Sequence, residues 1–132
     1  MPDPIITNND SSVLVLGDDF YRNSLMTVVA TTYLRGTILA RDTTTGKLIP
    51  YVKGGVVDGN GIPITVLANE IVNTVVGDIT IRPFTTARVR RDKLIIFADG
   101  DDSNIDDIIV DELRDYGIFS EDVTELNIPD NQ

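Results

Sequence analysis

Apolar and β-branched residues come in short runs along this chain, separated by turn chemistry, and this pattern changes only near the C-terminus. Residues 13–16 form a brief apolar run ahead of Gly17-Asp18-Asp19. Residues 25–32, 37–40, 47–51 and 64–69 are each strand-like by their Val, Ile, Thr and Leu content. Residues 78–83 alternate Ile79 and Ile81 against Thr80 and Arg82, the period of a half-buried strand, and 85–89 reads as continuing the same sheet. Residues 73–78 read as a strand end and turn, and residues 93–97 as a last apolar strand. The clearest unit is the pair 37–40 and 47–51. A polar turn ending in Gly46, a residue free to take positive φ, joins them as a hairpin. Residues 53–63 carry Gly54, Gly55, Gly59 and Gly61 and read as a loop.

The period changes after residue 103. Ser103 is placed to N-cap a helix, with Asp106 three residues on as a capping-box-like partner. Ile105, Ile108, Ile109 and Leu113 follow helical spacing as one apolar stripe, and Gly117 stands where a helix-ending glycine belongs. Ile118-Phe119 is expected to pack back on the body. The fold class that follows is α+β and mostly β: a small β-rich body, barrel-like or a sandwich of short strands, with one C-terminal helix. Residues 1–12, rich in Pro, Asn, Asp and Ser, read as a flexible N-terminal arm in which Ile5-Ile6-Thr7 can pair as a strand if an edge is offered. The expected organisation is an arm at 1–12, a single domain at 13–119 including a helix over 104–116, and an acidic tail at 120–132.

Composition narrows the chemistry. In 132 residues there is no His, Cys or Trp. The common ligands of zinc, copper and haem are therefore missing, as are thiolate chemistry and the usual Ser–His pairing. No metal or cofactor is expected, and no catalytic residue. The carboxylates Asp18, Asp19, Glu70 and the C-terminal acids are what any acidic protein offers, and solvation or capping accounts for them. Met1-Pro2-Asp3-Pro4 has no basic segment followed by a long apolar run, so it does not read as a signal peptide. No stretch approaches the ~20 apolar residues that span a bilayer.

The net charge of −10 is unevenly spread, because residues 99–132 hold twelve acids against the single base Arg114. Such acidity disfavours nucleic acid and anionic membranes as partners. The basic run Arg88-Val89-Arg90-Arg91-Asp92-Lys93 reads as a solvated turn or a set of intramolecular ion-pair partners. Three partial motifs fail on their own terms. Asp99-Gly100-Asp101-Asp102-Ser103-Asn104 opens like a calcium loop, but Asn104 and Val110 occupy the positions that need Gly and Glu. Gly46-Lys47 matches the end of a phosphate-binding loop, but Arg41 and Leu48 stand where Gly and Ser or Thr are required. Gly59-Asn60-Gly61 lacks the third glycine of a dinucleotide fingerprint and opens no helix.

The stretch from Asp42 to Tyr51 (DTTTGKLIPY) resembles the early hairpin of the lambda gpD-like head decoration proteins of tailed bacteriophages, which carry a similar Asp, small hydroxyl residues, Lys-Leu and an aromatic. Ile64-Thr65-Val66-Leu67-Ala68 is similar to the strand that follows in that family, and 78–97 to its next strand, basic turn and apolar strand. The helix and Gly117-Ile118 resemble the ending of longer members. The resemblance spans roughly residues 36–97 and departs in the acidic C-terminal extension. It implies a structural protein without catalytic activity, on the outer surface of an expanded phage head after assembly in the host cytoplasm. It further implies a homotrimer at three-fold sites that contacts the major capsid protein and holds the shell against the pressure of packaged DNA. The arm would attach by adding a strand to capsid β-structure, with Ile5, Ile6, Thr7, Val13 and Leu14 as the candidate contact residues. The competing reading is a small β-rich phage adaptor or host-surface binding module using loop 53–63. A carboxylate-dependent hydrolase ranks behind both.

Overall fold

A computed structural model describes residues 14–73 and 75–122. In chain order its elements are β1 (Val15–Tyr21), β2 (Ser24–Val28), β3 (Thr32–Tyr33), β4 (Ile38–Arg41), β5 (Leu48–Pro50), β6 (Thr65–Val66), β7 (Ile71–Val72), β8 (Gly77–Ile81), β9 (Phe84–Arg90), α1 (Asp107–Asp115) and β10 (Ile118–Glu121). The expected mostly-β body with one helix near the C-terminus is present. Its strands form three sheets, ordered β1-β9-β10, β6-β4-β5-β2-β8 and β3-β7, and none closes into a barrel.

The hairpin follows from its turn chemistry. β4 and β5 pair antiparallel, with Leu39 opposite Pro50 and Arg41 opposite Leu48. The Asp42 carboxylate accepts from the backbone N–H groups of Thr44 and Thr45 at 2.8 and 3.1 Å, and the Gly46 N–H donates to the Asp42 carbonyl. Gly46 closes the turn at φ +77°. β4 does not alternate because both its faces are covered. Ile38 and Ala40 enter one hydrophobic cluster, with Leu14, Tyr51, Phe84, Val89, Leu94, Ile109, Leu113 and Ile118. Leu39 enters a second, with Met26, Val28, Tyr33, Leu48, Leu67 and Ile81. The alternation read over 78–83 is real, since Ile79 and Ile81 turn inward while Asp78 and Thr80 are exposed.

Five expectations need correction. Residues 85–89 do not continue the sheet of β8, because β9 pairs with β1 and β10 in a separate sheet. The first strand does not stop at Gly17 but continues to Tyr21, paired with β9 through three register shifts. Bulges absorb Gly17 and break the alternation that marks a strand. β7, which pairs antiparallel with β3, lies where no strand was read. Residues 93–97 form no continuous strand. A short 3-10 turn at Arg91–Lys93 leads into single-residue pairings of Ile95 with Thr37 and Ile96 with Asp101, and Leu94 and Ile96 serve as core anchors instead. The helix is capped by Asp106, whose carboxylate accepts from Ile109 N at 2.9 Å. Ser103 is drawn away because both its N–H and its hydroxyl donate to Asp101. The helix therefore starts later, Ile109 and Leu113 are buried, and Ile108 is exposed. Gly117 does end the helix. At φ +92° a Cβ there would lie 2.9 Å from the Thr85 carbonyl. β10 then runs parallel to β9 from Ile118 opposite Ala87 to Glu121 opposite Arg90.

Candidate interaction surfaces

Of the candidate contact residues, Ile5, Ile6, Thr7 and Val13 lie outside the described residues. Leu14 is 2% exposed, and its side chain belongs to the first core cluster while its carbonyl accepts from Arg90 N at 2.8 Å. The chain thus emerges from a fixed point beside β1, an outer strand of the β1-β9-β10 sheet. At the far end of β1, Phe20 is 64% exposed. Tyr21 leans on Phe84 with ring centroids 5.1 Å apart and lies under the Arg82 guanidinium. Its hydroxyl donates to Asp19 at 2.7 Å; that bond first, and partial burial second, raise its pKa. With the exposed Leu25, this is an aromatic and apolar rim that the sequence pattern does not reveal.

The arginines of the basic run are committed within the molecule. Arg88 grips Glu121 through two N–H donors at 2.7 and 3.2 Å and holds that carboxyl below its usual range. Arg90 binds both oxygens of Asp92, and Arg91 reaches Asp107 at 2.7 Å. These pairs tie the β9 end to β10 and to the helix start. In the Asp99–Asn104 turn Ser103 lowers the pKa of Asp101, Asn104 donates to Asp99, and the Asn104 carbonyl accepts from Lys53 Nζ at 2.9 Å. Lys47, beside Gly46, pairs with Asp78 of β8, and together with the Thr27 hydroxyl it holds that carboxyl low. A cleft of about 200 Å³ near β2 and β9 brings Arg22 and Arg41 together with Ser24, Thr65 and Tyr116, and among the described residues no carboxylate lines it.

Loop 53–63 is built around Asn60. Its side-chain oxygen accepts from Val57 N and its carbonyl from Val52 N. A Cβ on Gly61 would meet the Gly55 carbonyl at 2.1 Å, so the loop closes only with glycine there. Val56, at its tip, is 93% exposed.

A surface with buried anchors, paired charges and exposed apolar tips is suited to contact. The family model of bacteriophage lambda head decoration protein D matches residues 5–118. The chain belongs to that family. It is a bacteriophage head decoration protein, a structural component that binds the phage capsid on its exterior. The match runs from residue 5 to the first residue of β10, so it takes in every sheet and the helix and is wider than the hairpin-centred resemblance. Among curated proteins, no relative matches the chain.

Proposed function

We propose that this decoration protein sits as a trimer at the three-fold and quasi-three-fold sites of the expanded head. There it ties neighbouring major capsid protein subunits together against the pressure of packaged DNA, with residues 1–12 supplying an added strand. The observation that carries the reading is the placement of Leu14. The segment that precedes it joins the body at a buried residue bonded to β9, beside an outer strand. Tension on the arm is therefore passed directly into the core. Ordering the arm costs about 1–2 kcal/mol per residue. Backbone hydrogen bonds to a capsid strand, repeated over a closed lattice, offset that cost through avidity.

The test mixes the purified protein with expanded, undecorated shells of its own phage. Stoichiometric decoration and a raised rupture temperature are expected, and shells that remain bare would refute the reading. Deleting residues 1–12 is expected to preserve fold and trimer while weakening attachment. Unchanged attachment removes the arm from the mechanism. The exposed valines of loop 53–63 favour a second reading, an adaptor that binds host surfaces. Binding to cells in the absence of capsids is its distinguishing result.

A further inference from the structure

Two clefts that share Arg41, Ile64 and Tyr116 form one groove between the helix end and the β6-β4-β5-β2-β8 sheet. The first, of about 200 Å³, sets Arg22 and Arg41 beside Phe84. The second, of about 170 Å³, extends it past Ile62. The groove is positive, although the chain carries a net −10. The Arg41 guanidinium donates to the Gly46 carbonyl at 2.8 Å, and among the described residues neither Arg41 nor Arg22 pairs with a carboxylate. Three acids, Asp42, Asp58 and Asp115, stand next in sequence to lining residues, but none of them lines either cleft. Asp42 is bonded to the N–H groups of its own turn, and Asp58 accepts from the Thr44 hydroxyl. Two guanidiniums beside apolar side chains suit a peptide that carries both a carboxylate and an aliphatic residue.

A segment of that kind leaves the body close by. Tyr116 lines both clefts, and the described chain ends six residues later at Asp122. Six residues carry the chain at most about 20 Å from the groove. Residues 123–132 (VTELNIPDNQ) follow. Extended, these ten reach about 33 Å, so about six bring the chain back and the last few fall at the groove. Those last residues include Ile128, Pro129 and Asp130. The family match stops at residue 118, so the family model does not account for this extension. We propose that residues 128–132 dock in this groove of their own chain, with Asp130 paired to Arg22 and Arg41 and Ile128 packed on Ile62 and Ile64. The docked tail straps the helix end to the five-stranded sheet. This goes beyond the decoration reading and does not rest on it.

The experiment uses the full chain, whose lack of cysteine lets Asn131→Cys carry a single nitroxide spin label. Amide NMR signals of the isotope-labelled protein are compared with the nitroxide oxidised and reduced. Broadening is expected at Ile62, Ile64 and Tyr116, while β3 and β7 keep their intensity. Arg22→Glu, at an exposed residue, is expected to shift the docked-to-free ratio at least about fivefold toward free. Adding Asp130→Lys to that variant is expected to restore docking, which a merely structural effect of Arg22→Glu would not allow. A co-refolded equal mixture of spin-labelled chains with isotope-labelled chains that lack the nitroxide is expected to show no broadening at the groove. Circular dichroism establishes that the variants fold; if Arg22→Glu does not, Asp130→Asn is expected to give a smaller loss of broadening. The proposal is overturned if the groove signals keep their intensity, if broadening spreads evenly over the body, or if neither Arg22→Glu nor Asp130→Asn reduces it. It is also overturned if Asp130→Lys fails to restore docking, or if the mixture shows the broadening, which would assign the groove to the tail of a second copy.

Discussion

Gly36 is where the hairpin sheet is stitched to the chain that follows β9, and replacing it with alanine tests how that stitch works. Its N–H donates to the Leu67 carbonyl, its carbonyl accepts from Ile95 N, and Ile38 N donates back to the Ile95 carbonyl, each at 2.9 Å. Gly36 takes φ +95°, and a Cβ there would stand 2.3 Å from the Lys93 carbonyl oxygen. The left-handed conformation alone costs a non-glycine residue about 1–2 kcal/mol. Relieving the clash requires the two backbones to part by about 1 Å, given that carbon contacts are comfortable at roughly 3.5 Å. That movement weakens one or two of the three hydrogen bonds, each worth about 1 kcal/mol net. The expected loss is about 3 kcal/mol, a large share of the roughly 5–15 kcal/mol that keeps such a domain folded. Gly46→Ala is the matched control, because Gly46 also has positive φ, at +77°, but nothing lies within 4 Å of its added Cβ. It should cost about 1–2 kcal/mol, the conformational term alone. Urea unfolding followed by circular dichroism, with equal slopes for both variants, gives the comparison. Equal losses for Gly36→Ala and Gly46→Ala would refute the steric argument.

Three further outcomes are expected. Asp106→Ala removes the helix cap and should cost about 0.5–2 kcal/mol in urea unfolding, whereas Ser103→Ala should cost less; the reverse order would restore Ser103 as the cap. Burial, reinforced by the charges of Glu112 and Asp106, pushes the Tyr51 pKa up to about 12. Its unfolded value is about 10, so the folded state keeps a proton that the unfolded state releases, and up to about 2–3 kcal/mol of stability is lost as pH rises from about 10 to 12. Urea midpoints measured against pH should show this slope, and Tyr51→Phe should flatten it. The Ser120 hydroxyl is buried without a hydrogen-bond partner among the described residues, so Ser120→Ala should leave thermal stability unchanged or raise it by up to about 1 kcal/mol.

Much of this fold was legible where local chemistry decides the conformation. Asp42 and Gly46 specify the hairpin turn within five residues, Gly117 specifies the helix end, and the period of two over 78–83 specifies β8. The intramolecular use of the basic run was legible as an alternative, because arginines beside a helix rich in acids find partners nearby. What the sequence hides is decided at a distance. β1 is disguised by bulges that only its pairing with β9 explains. The apolar stretch at 93–97 has strand composition, yet it meets its neighbours one residue at a time. Ser103 and Asp106 are both good caps, and the Asp101 carboxylate settles the choice between them. The exposure of Val29 was hidden for a related reason. Val28 and Val29 are identical in type, but one lies in the core and the other faces water, a difference set by register.

The double-sided burial of β4 has a mechanical consequence. Ile38 and Ala40 support one half of the interior and Leu39 the other, so the two halves share a single slat. Among the described residues, β4 therefore couples the two clusters. Melting either side withdraws the backing from the opposite one, and the body gives way in one cooperative break.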